Sequence, residues 1–438
     1  MRPLFISLSL FLSLCFLTGC PALLDMQEGA STPPNYPTLI TDDVSYQRNI
    51  RTVTLYLGDV PESYPVMRLS RREVLTLEFD EWLAEDQPES NLYVDIVHCN
   101  ADWTPSGLVA PEFYEGFLND RIDQYARSRF TKIPYIHYTY SFPQEDEFFK
   151  RSGNYLVKVF RNSDPNNLVL TRRFIVVDEK VNLALKYQLS DRFQREELRN
   201  IAFDLVPGNL DILDPSRDIN VQILQNFRWD NRLQNLSPTF QNERNYEYQI
   251  ELQDAFSSGN EFRRLELMST QLYGGNVQDI EFRPNSTDVY LFPDKLKSTN
   301  KYGALRDRNG SFSIRNDEYP EPWLTSDYLN TFFFLKANEP YQGQVYVFGE
   351  LTNWQILPEF RLDYNATNRR YEGSALIKQG LYDYQYVMVK NTDAVPDPSP
   401  LESAHYRGEN FYSVLVYYRG PMDRADQLLG FLPINYFE

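Results

Sequence analysis

His98 and Cys99 stand side by side, Ser106 follows in the same segment, and His137 lies further along between Tyr135 and Tyr138. One thiol and two imidazoles are ligands that suit zinc, and a serine near a histidine suits nucleophilic acyl transfer. Neither pattern is complete. Structural zinc sites draw on closely spaced pairs of donors, whereas His98-Cys99 and His137 are far apart and have no further ligand pattern around them. Ser106 follows a proline, where serine usually turns or caps the chain, and no nucleophile elbow surrounds it. The 61 Asp and Glu are scattered, and a random acidic pair predicts no general acid and base without geometry. The chain carries no Walker loop, no Gly-x-Gly-x-x-Gly after a strand, no His-Glu-x-x-His, no EF-hand loop and no Gly-x-Ser-x-Gly. These residues therefore read as architecture. The expectation is a protein that is not an enzyme, with no catalytic residue, no cofactor, no metal and no small-molecule substrate.

Cys20 has a different chemistry. An apolar run from Leu4 to Leu17 follows Arg2 and has the length of a signal-peptide core, too short for a permanent anchor. It closes on Leu17-Thr18-Gly19-Cys20, which resembles the bacterial lipobox. The resemblance implies that residues 1–19 are a lipoprotein signal peptide and that Cys20 is acylated as the first mature residue. The alternative is an ordinary secretory signal cut near Ala22. Two or more acyl chains give stable anchoring, since each buried methylene contributes about 0.8 kcal/mol. Residues 20–42, with Pro33-Pro34 and Pro37, read as the lipidated tether. With Cys15 removed and Cys20 modified, Cys99 has no partner for a disulfide and is expected to be a small buried hydrophobe.

The elements that must position these residues are strands. Aromatics form 15% of the chain, with 31 Tyr and 29 Phe against 19 Gly, a balance that suits sheets and excludes a disordered polypeptide. Period-two alternation runs through Val53-Leu55-Leu57, Leu75-Leu77-Phe79, Tyr155-Val157-Val159, Ile219-Val221-Ile223, Tyr246-Tyr248-Ile250, Tyr382-Tyr384-Tyr386 and Tyr412-Val414-Val416. Turn residues punctuate these runs at short spacing, which predicts an all-β protein of three consecutive immunoglobulin-like or early-set β-sandwiches. Boundaries are expected near 180, after Val176-Val177-Asp178, and near 320, at Tyr319-Pro320-Glu321-Pro322. The domains are then 43–180, 181–320 and 321–438. A net charge of −18 argues against nucleic acid and against electrostatic binding to anionic lipid.

The succession Asp95-Ile96-Val97-His98-Cys99-Asn100-Ala101-Asp102-Trp103-Thr104-Pro105-Ser106, Tyr114-Glu115-Gly116-Phe117, Tyr135-Ile136-His137-Tyr138 and Ser152-Gly153-Asn154-Tyr155 resembles the plug proteins of the Bacteroidetes type IX secretion system. The likeness continues in Arg228-Trp229-Asp230-Asn231, Gly259-Asn260-Glu261-Phe262-Arg263, Asp307-Arg308-Asn309-Gly310 and Gly420-Pro421 to Leu429-Gly430, so it covers about residues 43 to 430. Within it His98, Cys99, Asp102, Trp103, Ser106, His137 and Asn154 are motif positions read as structural. The resemblance implies a plug that caps the periplasmic opening of a very large outer-membrane translocon barrel. With the lipid anchor, this places the protein on the periplasmic face of the outer membrane; Pro21-Ala22-Leu23-Leu24 lacks an acidic surface-export signal.

A second, weaker likeness lies near the end. Val345 to Trp354 and Gly380 to Tyr386 resemble the early-set immunoglobulin-type fold of glycogen-binding modules, in which a Gly-x-x-x-Asn-Trp turn presents a tryptophan to a glucose ring. Trp354 matches that position. Gln385 stands where those modules have Lys, and Val389 to Pro398 contains no second Trp, so the departure concerns the glycan site more than the fold. The alternative function is accordingly a glycan-binding outer-membrane lipoprotein that uses Trp354.

Overall fold

The computed structural model describes residues 39–436 apart from 85, 187–197, 200, 243, 251–253, 298–306, 391–394 and 406–407. The signal peptide, Cys20 and most of the tether lie outside the described residues. Leu39–Glu438 forms one compact unit, and its regular structure is almost entirely strand. Among the described residues no helix is long and apolar enough to cross a membrane.

Alternation builds the first sandwich. One sheet orders the strands Ile50–Leu57, Leu75–Trp82, Tyr135–Phe142 and Gln124–Arg127; the facing sheet orders Val66–Arg68, Leu168–Val177, Gly153–Arg161, Leu92–Cys99 and Asp120–Arg121. Leu75, Leu77 and Phe79 meet Leu92, Val94, Ile96, Tyr155 and Val157 in a shared core. The intervening Thr76, Glu78 and Asp80 point the other way, yet they too are buried. A strand buried on both faces must be covered from outside, and here the rest of the chain supplies the cover. Between Tyr114 and Phe130 three short strands, Tyr114–Glu115, Asp120–Arg121 and Gln124–Arg127, follow a short helix at Ala110–Phe113.

The other two cores depart from the order of the sequence. Asn182–Leu185, Ala202–Val206, Asn245–Gln249 and Phe240–Asn242 form one sheet, and Ile219–Gln225, Asn410–Tyr418 and Gln427–Tyr436 form its companion. Phe203, Leu205, Val221, Ile223, Tyr412, Val414 and Val416 share the core between them. The strands between Arg263 and Val389 join in a third body, a nine-stranded sheet that includes Phe312–Ile314 and folds over its own core. The third body is thus inserted in the second, whose last two strands arrive only after the insertion closes. The boundary expected at 320 therefore does not coincide with the strand pairing. Strands 263–314 belong with 328–389, and 410–436 belong with 219–225. Pro320 and Pro322 mark a short helical turn at Pro322–Thr325 inside the third body.

Candidate functional site

The segment 98–106 is a joint between the first and second bodies. His98 continues the inward row of its strand, while Cys99 and Val97 face outward onto Leu224, Phe227, Trp229, Leu415, Tyr417 and Leu428. The chain then turns sharply. Asp102 accepts from the Thr104 amide at 2.9 Å and the Thr104 hydroxyl at 2.6 Å, and Trp103 takes φ +71. That conformation tucks the indole, 1% exposed, edge-on to Trp229 at 4.8 Å and beneath the Arg173 guanidinium at 4.6 Å. Asp426 accepts from the Ala101 amide at 2.8 Å, Gln222 donates to the Ala101 carbonyl at 3.0 Å, and Tyr417 donates to Asn154 Oδ1 at 2.7 Å. Asn154 in turn donates to the Asn100 carbonyl at 3.0 Å. The joint's polar contacts to the second body therefore run to its closing hairpin, through Tyr417 and Asp426, and to Gln222 of the strand paired with it.

His98 and Ser106 do meet. The Ser106 hydroxyl is 2.9 Å from Nδ1, and Nε2 is 3.4 Å from the Ser152 carbonyl. A carbonyl can only accept, so Nε2 carries the proton and Nδ1 accepts from the hydroxyl. Burial pushes the imidazole down to about 4, which keeps it neutral. A base of this kind lacks the carboxylate that orients the histidine of a hydrolytic triad, because its second nitrogen is spent on backbone. The ring is also packed edge-on to Tyr155 at 4.8 Å and lies against Phe113. The pair ties the turn to its strand. Cys99 is fully buried, and burial drives its thiol up to about 12, where it is neither nucleophile nor ligand.

His137 lies in the opposite sheet from His98 and Cys99, so the three are not brought together. Among the described residues no cluster of His, Cys, Asp or Glu could hold a metal ion. What surrounds His137 is a buried ionic network that joins the first and third bodies. Its Nδ1 is 2.8 Å from Asp80 Oδ1, and its Nε2 is 3.5 Å from Glu78. Asp80 Oδ2 takes the Lys378 ammonium at 2.5 Å and the Tyr328 hydroxyl at 2.7 Å. Lys378 also donates to the Trp323 carbonyl at 2.8 Å and sits 4.2 Å from the Tyr135 ring, while the Trp323 indole stacks on His137 at 5.0 Å. Burial alone would raise the Asp80 carboxyl, but Lys378 and His137 outweigh it and hold it below the ordinary range. Burial works against a charged His137, and the hydrogen bonds that the ring donates to Asp80 and Glu78 win, so its pKa is raised. Asp80, Lys378 and Tyr328 escaped the sequence reading. The one available signal was Asp80 within the strand Leu75–Trp82, on the face that alternation assigns to solvent.

Trp354 sits in a left-handed turn at φ +56, partly buried. Arg228 lies over its ring at 4.8 Å, Phe348 meets it at 5.4 Å and Phe262 at 6.0 Å. Gly310, at φ +83, leaves the room it needs: a Cβ there would stand 2.3 Å from the indole. Gln385 is buried on the neighbouring strand. The indole thus links the third body to Arg228 of the second.

Residues 50–178, the span of the first sandwich, match the family model described as type 9 secretion system plug protein 1st domain. This sandwich belongs to that plug-protein family. The family matched is a secretion family. A hypothetical protein from Parabacteroides merdae, known from a crystal structure, superposes with a TM-score of 0.85 at 29% identity over 91% of this chain and all of that one, so the whole described arrangement recurs there. A trypsin-activated alpha-2-macroglobulin from Escherichia coli aligns over 88% of this chain and 23% of that one, at 11% identity and a TM-score of 0.16, which supports no structural argument. No curated protein matches the chain. In the plug-family domain the motif residues hold the sandwich to its neighbours: 98–106 and Asn154 toward the second body, His137 toward the third.

Proposed function

We propose that the protein is a non-enzymatic plug that caps the periplasmic opening of the type IX secretion translocon and seals it while no substrate is engaged. The observation that carries this reading is the match of the first sandwich to the plug-protein family. The fold supports it physically. A stopper must resist deformation, and here three packed cores are cross-braced by a buried ionic network on one side and an aromatic joint on the other. The partner is an outer-membrane barrel, and the acyl chains at Cys20 hold the plug on the periplasmic face of the same membrane, raising its local concentration at the channel. Binding must be strong enough to seal and weak enough to release, which calls for an interface of standard size.

The test is affinity capture of the tagged protein from detergent-solubilised envelopes, with co-purifying chains identified by mass spectrometry. Recovery of a very large outer-membrane barrel, reduced when secretion substrates fill the channel, is the expected outcome; capture without any barrel overturns the reading. Protease treatment of intact cells checks the location. The protein should survive until the outer membrane is breached, and rapid digestion would place it outside.

A further inference from the structure

In a chain of net charge −18, one cleft is basic. It lies at one end of the third body, where Lys295 follows the strand Thr287–Leu291, Lys336 ends the strand Tyr328–Lys336, and Arg370 opens the strand Arg370–Lys378 with Arg369 in the turn before it. Asn338, Asn368, Leu296 and Ala337 complete the lining, and the open cleft measures about 430 Å³. Arg370 is neutralised by Glu372 at 2.6 Å, a carboxylate already shared with the amides of Asn365 and Asn368. The nearby Asp294 is committed to Arg263, Tyr384 and Tyr386. Lys295, Lys336 and Arg369 form no ion pair among the described residues.

Two features of this cleft work against folding. Lys336 and Arg370 are direct cross-strand partners, a meeting of like charges that the Glu372 carboxylate on Arg370 offsets only in part. Arg369 takes φ +50, a left-handed conformation that glycine or asparagine adopts at far less cost. Local choices that oppose the fold cluster where a ligand repays them. We infer that the cleft binds a phosphorylated, hydroxyl-bearing small molecule of the sugar-phosphate type. The three unneutralised cations face the phosphate, and the Asn338 amide, with the Asn368 carbonyl oxygen that its bond to Glu372 leaves open, offers donor and acceptor groups to sugar hydroxyls. A volume of about 430 Å³ is in the range of small-molecule sites and exceeds a lone phosphate. A free sugar phosphate and the headgroup of a glycerophospholipid share this chemistry.

Titration calorimetry on the full chain carrying Cys20→Ala, which removes the acyl chains, tests the site with four probes: glucose 6-phosphate, glucose, inorganic phosphate and soluble dihexanoyl phosphatidylglycerol. Glucose 6-phosphate or the short-chain lipid should saturate one site, with glucose and inorganic phosphate at least tenfold weaker; the tighter of the first two identifies the source. Lys336→Glu should weaken binding tenfold or more. Arg369→Gly should weaken it as well while leaving the melting temperature unchanged or higher, because it removes the charge and relaxes the backbone. The inference is overturned if neither phosphorylated probe saturates a site, if inorganic phosphate binds as tightly, or if both variants bind like the parent.

Discussion

Lys378 Nζ lies 2.5 Å from Asp80 Oδ2, and both side chains are closed to solvent although one belongs to the third body and the other to the first. Such a pair is weak evidence of net stabilisation, because desolvating two charges costs about what their attraction returns. Breaking it on one side is another matter. Lys378→Met leaves Asp80 with only His137 and Tyr328 and should destabilise the chain by about 3 to 5 kcal/mol. The double variant Asp80→Asn with Lys378→Met should recover much of that loss. Thermal melting gives the ranking, and proteolysis near Pro320 reports whether the joint opens before the cores; equal melting of parent and Lys378→Met would show that the network contributes nothing.

The two motif histidines should respond to pH in opposite senses. His98 is depressed from 6.5 to about 4 by burial, so the unfolded chain binds the extra proton first; stability is full above 6.5 and falls as pH drops toward 4. The size of that loss is on the order of 3 kcal/mol. His137 is raised above 6.5 by Asp80 and Glu78 against the cost of burial, so its contribution is present below 6.5 and is lost as pH climbs through its folded value. Histidine NMR resonances followed from pH 4 to 9 separate the two. A His137 that titrates below 6.5, or a His98 that titrates near neutrality, contradicts the arrangement.

Tyr417 tests the joint with the second body. Its hydroxyl donates to Asn154 Oδ1 at 2.7 Å, with both side chains buried. Tyr417→Phe leaves that oxygen unsatisfied and should cost about 1 to 3 kcal/mol, read as a lower melting temperature with an unchanged far-UV circular dichroism spectrum. Gly153→Ala should cost as much or more, because the new Cβ would stand 2.6 Å from His98 Nε2 at a φ of +150.

Cys99 supplies a chemical readout of the same joint. Its buried thiol should stay unmodified by iodoacetamide in the native protein and react completely in guanidinium chloride. Trp103→Ala removes the cover that Trp103 and Trp229 share and should make labelling measurable under native conditions. Ready labelling of the parent would mean that this face opens.

Alternation was enough to make the chain all-β and to locate strands such as Leu75–Trp82, Gly153–Arg161 and Asn410–Tyr418, because the apolar residues that line a sandwich core recur at every second position even where the other face is covered as well. The motif around His98 and the plug-family resemblance were legible for the same reason: they are contiguous runs. The insertion of the third body was not. Which strand pairs with which is set by contacts across the chain, and nothing in Ile219–Gln225 announces that its partner is Asn410–Tyr418. The Asp80–Lys378 pair was hidden likewise. In sequence Asp80 looks like a solvated residue on a half-wet strand, and only when the third body covers that face does its carboxylate need an ammonium. Local pattern determined the elements; tertiary packing decided which of their outer faces stayed wet, and so which charged residues became structural.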